Sequence, residues 1–146
     1  MRSRVFPFGV FFLAGLASFG VIRDAAADDS RNYAELEKAA LEGRDIGATF
    51  DLSRCLVHGA NTPGPSIRGG LHLDGFMIQS DQTIAFSATR LTVRSDNTPV
   101  NGLLSFKVAP TGKIDVLSLS LNPLTYAIFH EAEFDCSMGE GVTFHW

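Results

Sequence analysis

The chain has 146 residues, a formal net charge of −4, 45% hydrophobic side chains and two cysteines. That length suits one domain around a single core. The acidic balance sets bulk electrostatics against nucleic acid and against anionic lipid as partners.

Two arginines lie in the opening Met1-Arg2-Ser3-Arg4, and the run from Val5 to Ile22 carries no charge. Small residues follow at Ala25-Ala26-Ala27. A basic flank, an apolar stretch and an A-x-A exit are the parts of a secretory signal peptide, so cleavage is expected after Ala27. An uncleaved anchor would need about 20 apolar residues. Pro7, Gly9, Gly15 and Gly20 weaken that alternative as a permanent helix. Removal of residues 1–27 takes away three arginines and one aspartate, leaving nine basic and fifteen acidic side chains on residues 28–146. The membrane then enters only through the transient signal, and the expected location is periplasmic or secreted.

Residues 28–32 read as loose. From Asn32, Tyr33, Leu36, Ala40 and Leu41 recur at helical steps, with Asn32 as N-cap and Gly43 as the stop. Ile46, Ala48, Phe50 and Leu52 then alternate with small and polar residues, the period of a strand. A Gly/Pro-rich loop occupies 58–66. Strand-like runs follow over Ile67 to Ile78, Thr83 to Val93, Pro99 to Val108, Lys113 to Leu121, Leu124 to Cys136 and Val142 to Trp146, separated by turn-forming clusters. About seven short strands joined by tight turns imply a mainly β fold, an antiparallel meander forming a small barrel or sandwich. The barrel is the preferred form, with the short N-terminal helix over one opening or edge.

Cys55 and Cys136 are an even pair in an exported chain and are expected to form a disulfide. Their spacing excludes a CxxC redox motif, and no Cys/His cluster has zinc-site spacing. No metal or other cofactor is therefore expected.

Several blocks resemble one family. Tyr33-Ala34-Glu35-Leu36, Leu41 to Ile46, and Asp51-Leu52-Ser53-Arg54-Cys55 resemble the opening of the VirK proteins. Gly75 to Ile78, Ile84 to Ser87, Asn97 to Val100, Glu131 to Cys136 and the closing Phe144-His145-Trp146 fit as well. The resemblance spans residues 28–146 as one domain. It implies a small exported bacterial protein tied by name to a virulence region, and it implies no reaction.

Chemistry is sparse. Glu131, Glu133 and Asp135 are two apart and share one strand face. Paired carboxylates serve acid–base catalysis, but alternation with Ile128, Ala132 and Phe134 reads more simply as a wet face opposite a dry one. His130 falls on the apolar side, where a neutral, hydrogen-bonded imidazole is the ordinary outcome. His72, His130, His145 and Asp74 have no spacing that gathers them around a metal. There is no G-x-S-x-G elbow and no phosphate-binding loop. Trp146 reads as core closure or as an exposed recognition end.

The favoured function is therefore a binding or accessory role without catalysis, on an envelope or secreted protein. A lipocalin-like carrier is the first alternative. It would hold a small apolar ligand in a cavity lined by Phe50, Phe86, Phe106 and Phe134, with His130 and Trp146 as further contacts. An envelope hydrolase using His130 with Glu131 and Glu133 is the second.

Overall fold

The computed structural model describes residues 25–94 and 96–146, with side chains described from Asn32 onward. The expected signal segment lies outside the described residues, apart from Ala25–Ala27. Helix α1 runs Ala25–Leu41, so the expected Asn32 cap lies inside it, with seven described helical residues before it. Nothing in the sequence of Ala25–Arg31 breaks a helix. The stop is where expected. Gly43 has φ +68°, its N–H donates to Ala40 O, and the Arg44 N–H donates to Ala39 O. That is a Schellman motif, and its left-handed residue favours glycine. Tyr33, Leu36, Ala39 and Ala40 are buried, whereas Leu41 is exposed.

Nine strands follow among the described residues: β1 Gly47–Asp51, β2 Leu56–Val57, β3 Arg68–His72, β4 Met77–Ile78, β5 Ile84–Val93, β6 Pro99–Val108, β7 Lys113–Leu121, β8 Ile128–Ser137 and β9 Val142–His145. They form a three-stranded sheet, β3-β1-β9, and a six-stranded sheet, β2-β8-β7-β6-β5-β4. The pairing within both sheets is antiparallel. The mainly β expectation holds, and β5 to β8 form the expected meander. The preferred barrel does not. The two sheets stay separate and pack as a sandwich.

The chain changes sheets where one strand was expected over Ile67 to Ile78. β3 belongs to the small sheet and β4 to the large one. Leu73-Asp74-Gly75-Phe76 makes the crossing, and Asp-Gly is turn composition. A second break follows β1. Asp51 accepts from the Ser53 N–H at 3.1 Å and from its hydroxyl at 2.5 Å, which starts a 3-10 turn over Leu52–Arg54. β8 begins at Ile128, not Leu124. The Asn122 side chain accepts from the N–H groups of Leu124 and Thr125, and Tyr126 has φ 58°, so residues 122–127 are loop.

The core is one cluster between the sheets, closed on one side by α1. Phe86 and Phe106 on the large sheet stack with centroids 5.0 Å apart. Phe144 meets Phe86 edge-on at 5.6 Å, and Phe50 leans on Phe106 at 6.2 Å. The Phe50 ring lies over Gly69, where a Cβ would stand 2.5 Å from it. Cys55 and Cys136 bring their sulfurs to disulfide distance, 2.03 Å, at the edge of this cluster. Gly141 passes so close that a Cβ there would meet Cys55 Sγ at 2.5 Å.

The sheets differ in length. The strands of the small sheet have four or five residues, and β5 to β8 have nine or ten. The far ends of β5 and β8 are exposed, whereas those of β6 and β7 are half-buried, with Val100 buried. That mismatch positions the surfaces described next.

Candidate functional site

Directly paired residues in an antiparallel ladder share a face. The outer face of the large sheet therefore reads row by row. Near the disulfide, Lys107 pairs with Asp115 and Asp115 with Asp135. Beyond Asp135 stands His58, whose Nδ1 is 2.7 Å from Asp135 Oδ1. Two carboxylates directly opposite one another repel. Here Lys107 flanks them on one side and the His58 imidazole on the other. The loop after β2 carries His58 into place, with its N–H donating to Glu133 O at 3.0 Å. Glu133 also lies 4.0 Å from His58 Nε2. The hydrogen bond to Asp135, then that carboxylate's charge, hold His58 above the ordinary imidazole range, and Glu133 and Asp115 add to this. These groups, with Ser105 and Leu117, line a groove of about 280 Å³.

The groove can bind or orient a polar group, but it assembles no nucleophile with a base. Ser105 and Glu133 are both opposite Leu117, on either side of it. They are therefore two strand spacings apart, about 9.6 Å. Among the described residues, no group of three or more His, Cys, Asp or Glu is arranged to hold a metal.

The opposite end of the same sheet is apolar. Leu91 and Val93 of β5, Leu124 and Tyr126 of the β7–β8 loop, and Ile128 and Phe129 of β8 are all exposed. Leu124 is the extreme, at 88%. The β5–β6 turn and the β7–β8 loop lie at this end because Asn101 near the start of β6 pairs with Leu121 at the end of β7. A register shift between Ser120 and Leu121 opens the ladder there.

The sequence-derived residues are dispersed. Phe86 and Phe134 are buried core; the Phe86 and Phe50 rings pack on Phe106, whereas Phe134 also borders the groove beside His58. Glu131 and Glu133 face solvent on the outer side of β8, as the wet-face reading expects. His130 pairs with Ser120 on the opposite side, so the structure does not bring it to those acids. It keeps the parity of the apolar face but lies in the half of β8 beyond the small sheet, and is exposed. His72 instead stands 3.3 Å from Asp45, and His145 3.2 Å from Thr49 Oγ1. Trp146 is 44% exposed beside a shallow depression shared with Asn32, Met138 and Phe144.

Sequence reasoning missed His58 altogether. It lies in a loop read only as a ladder-breaker, 77 positions from Asp135. Local pattern carries no signal for that pairing. The strand-like run from Leu124 conceals the exposure of Leu124 and Tyr126 at a loop tip.

Residues 29–126 match the model of the VirK protein family. The uncharacterized protein y4wH of Sinorhizobium fredii is 31% identical over 129 residues, 86% of this chain and 89% of that protein. An uncharacterized protein in the pinF2 3′ region of Rhizobium radiobacter is 29% identical over 111 residues, covering 75% and 77% of the two chains. Among solved structures, lpg1832, a VirK family protein from Legionella pneumophila, superposes with a TM-score of 0.70 at 19% identity, over 79% of this chain and 96% of that one. At that identity the superposition speaks for the fold alone.

Proposed function

The chain belongs to the VirK family, and from that premise we propose that it is an exported binding protein, working in the periplasm or outside the cell on a protein partner. One observation carries this reading. Six large apolar side chains (Leu91, Val93, Leu124, Tyr126, Ile128 and Phe129) stand exposed at one end of a sheet whose opposite end is charged. Leu124, Tyr126, Ile128 and Phe129 lie within six residues of one loop and strand start, with Leu91 and Val93 three strands away at the same end, and exposed apolar groups of this kind mark interaction sites. The aromatic core favours this over a carrier, because its rings fill the space that a ligand would need. The cysteine pair at disulfide distance suits an oxidising compartment. Among the described residues, no helix is long and apolar enough to cross a membrane.

Affinity capture from the native envelope and culture fluid tests this, with tagged protein and with a Leu124→Asp/Ile128→Asp variant. A partner recovered with the unaltered protein and lost with the variant is expected, while circular dichroism and Tm stay near those of the parent. The same recovery from both proteins would refute the reading.

A further inference from the structure

Strand β5 has ten residues, and β4 covers only its first two. The hydrogen-bond alternation shows what the remainder offers. The Arg94 N–H donates to Thr98 O across the β5–β6 turn. In an antiparallel ladder the bonded pairs then recur every second residue. Thr92, Arg90, Ala88 and Phe86 thus spend their backbone groups on β6. Consistently, the Arg90 carbonyl oxygen lies 3.6 Å from a Cβ built on its partner Gly102. The N–H and C=O groups of Ser87, Thr89, Leu91 and Val93 point the other way. No strand among the described residues pairs with them.

Natural sheets blunt such edges with proline, lysine, bulges or a covering segment. Residues 87–93 contain neither proline nor lysine, and the β5–β6 register runs without a shift. The opposite edge of the sheet is managed differently. β2 and His58 cover β8 at Glu133 to Asp135, and the next edge-facing residue is the acidic Glu131.

The side chains add a charge pattern. Thr89, Leu91 and Val93 lie on the outer face, with Leu91 71% and Val93 60% exposed. Arg90 and, just past the strand, Arg94 belong to the alternate row. Neither is in an ion pair among the described residues. The one acid in the β5–β6 turn, Asp96, already accepts from the Thr98 N–H at 2.9 Å. Two arginines outside any ion pair are thus exposed on an edge of a chain whose net charge is −4, with Asp96 within electrostatic reach of Arg94.

We propose that the β5 edge takes up an extended segment of the partner protein as an additional strand. In that segment, apolar residues lying beside Leu91 and Val93 alternate with acidic residues lying beside Arg90 and Arg94. The proposal rests on the protein-binding reading and gives it a recognition mode, strand addition, in which backbone hydrogen bonds supply affinity and alternate side chains supply choice. A second copy of this chain fits the edge less well. The two-fold register centred on residue 90 sets Arg90 against its own copy. The register centred on residue 91 gathers four arginines on one face, and like charges at cross-strand positions destabilise.

The test uses a labelled eight-residue peptide of alternating Glu and Val, a Lys/Val counterpart, and a Glu/Val peptide N-methylated on alternate residues. Binding to the protein as recovered from expressing cells is followed by fluorescence anisotropy, with amide exchange read at residues 87–93. The Glu/Val peptide is expected to saturate and to protect the Ser87, Thr89, Leu91 and Val93 amides, whereas the N-methylated peptide is not. Arg90→Glu should shift preference toward Lys/Val by about tenfold. Leu91→Pro should abolish binding and still fold, because its N–H faces the edge and not β6. The N-methylated peptide keeps the test decisive should that variant unfold. Absence of saturable binding, equal binding of the methylated peptide, or a dimer that forms without peptide and is lost in Leu91→Pro would each overturn the proposal. If the peptide is ignored while Leu124→Asp/Ile128→Asp still abolishes capture, strand addition alone fails. If capture is indifferent to every variant, the binding reading fails with it.

Discussion

Breaking the Cys55–Cys136 link should cost this domain a large part of its stability. The two residues are separated by 81 positions, so the bond closes most of the strand-bearing chain. In the chain-entropy model a loop of that size contributes about 4.5 kcal/mol at 25 °C. Small domains have about 5–15 kcal/mol in total. For a domain of this size the loss corresponds to a fall in Tm on the order of 20 °C. The local packing adds to this, since Cys55 is 1% and Cys136 6% exposed within the core cluster. Calorimetry should compare three samples: the oxidised protein, the same protein reduced and kept reduced, and a Cys55→Ala/Cys136→Ala variant. The reduced sample retains both sulfur atoms and isolates the cross-link from the packing. It should melt far below the oxidised one, with the double variant lower still. A reduced protein melting within about 3 °C of the oxidised form would refute the reasoning.

Phe106 is fully buried between Phe50 and Phe86, so Phe106→Ala should destabilise by about 3–5 kcal/mol in urea unfolding. A loss below about 1 kcal/mol would mean that the sheets do not close on a filled core. At Gly64 a Cβ would stand 2.3 Å from the Leu52 carbonyl oxygen. Gly64→Ala should therefore displace the loop and cost about 1–3 kcal/mol, measured by the same unfolding. The His58 imidazole should titrate above 6.5 by NMR and fall back toward that value in Asp135→Asn. Because its folded pKa is raised, its contribution to stability is fully present below the unfolded pKa and is lost as pH rises through the folded one. The Asp135→Asn variant should flatten that dependence across the same window.

The strands that repeat their period without interruption were legible. Pro99 to Val108 and Lys113 to Leu121 match β6 and β7 end to end, because a ladder flanked on both sides enforces alternation and the turns at Pro110-Thr111-Gly112 and Asn122-Pro123 punctuate it. What escaped was tertiary. Nothing in Ile67 to Ile78 says that its halves join different sheets, since a sheet change costs only one turn. The helix start was misplaced because Asn32 is a good cap residue, yet Ala25–Arg31 is also good helix sequence. His130 shows the limit of parity. Alternation assigns a residue to a face, but not to the covered part of that face. The His58–Asp135 contact required knowing that the loop after β2 folds onto β8. The segment read as an export signal lies, apart from Ala25–Ala27, outside the described residues, so that expectation stands on sequence alone.

The apolar end of the large sheet is the surface proposed to meet a partner. A photo-cross-linking residue placed at Leu124 in the intact cell tests it most directly, with a second placed at Lys113 at the sheet's other end as the control. A discrete cross-linked protein band from position 124, absent from position 113, is the expected result. Bands of equal strength from both positions, or none from position 124 when the protein is correctly folded and located, would contradict the account.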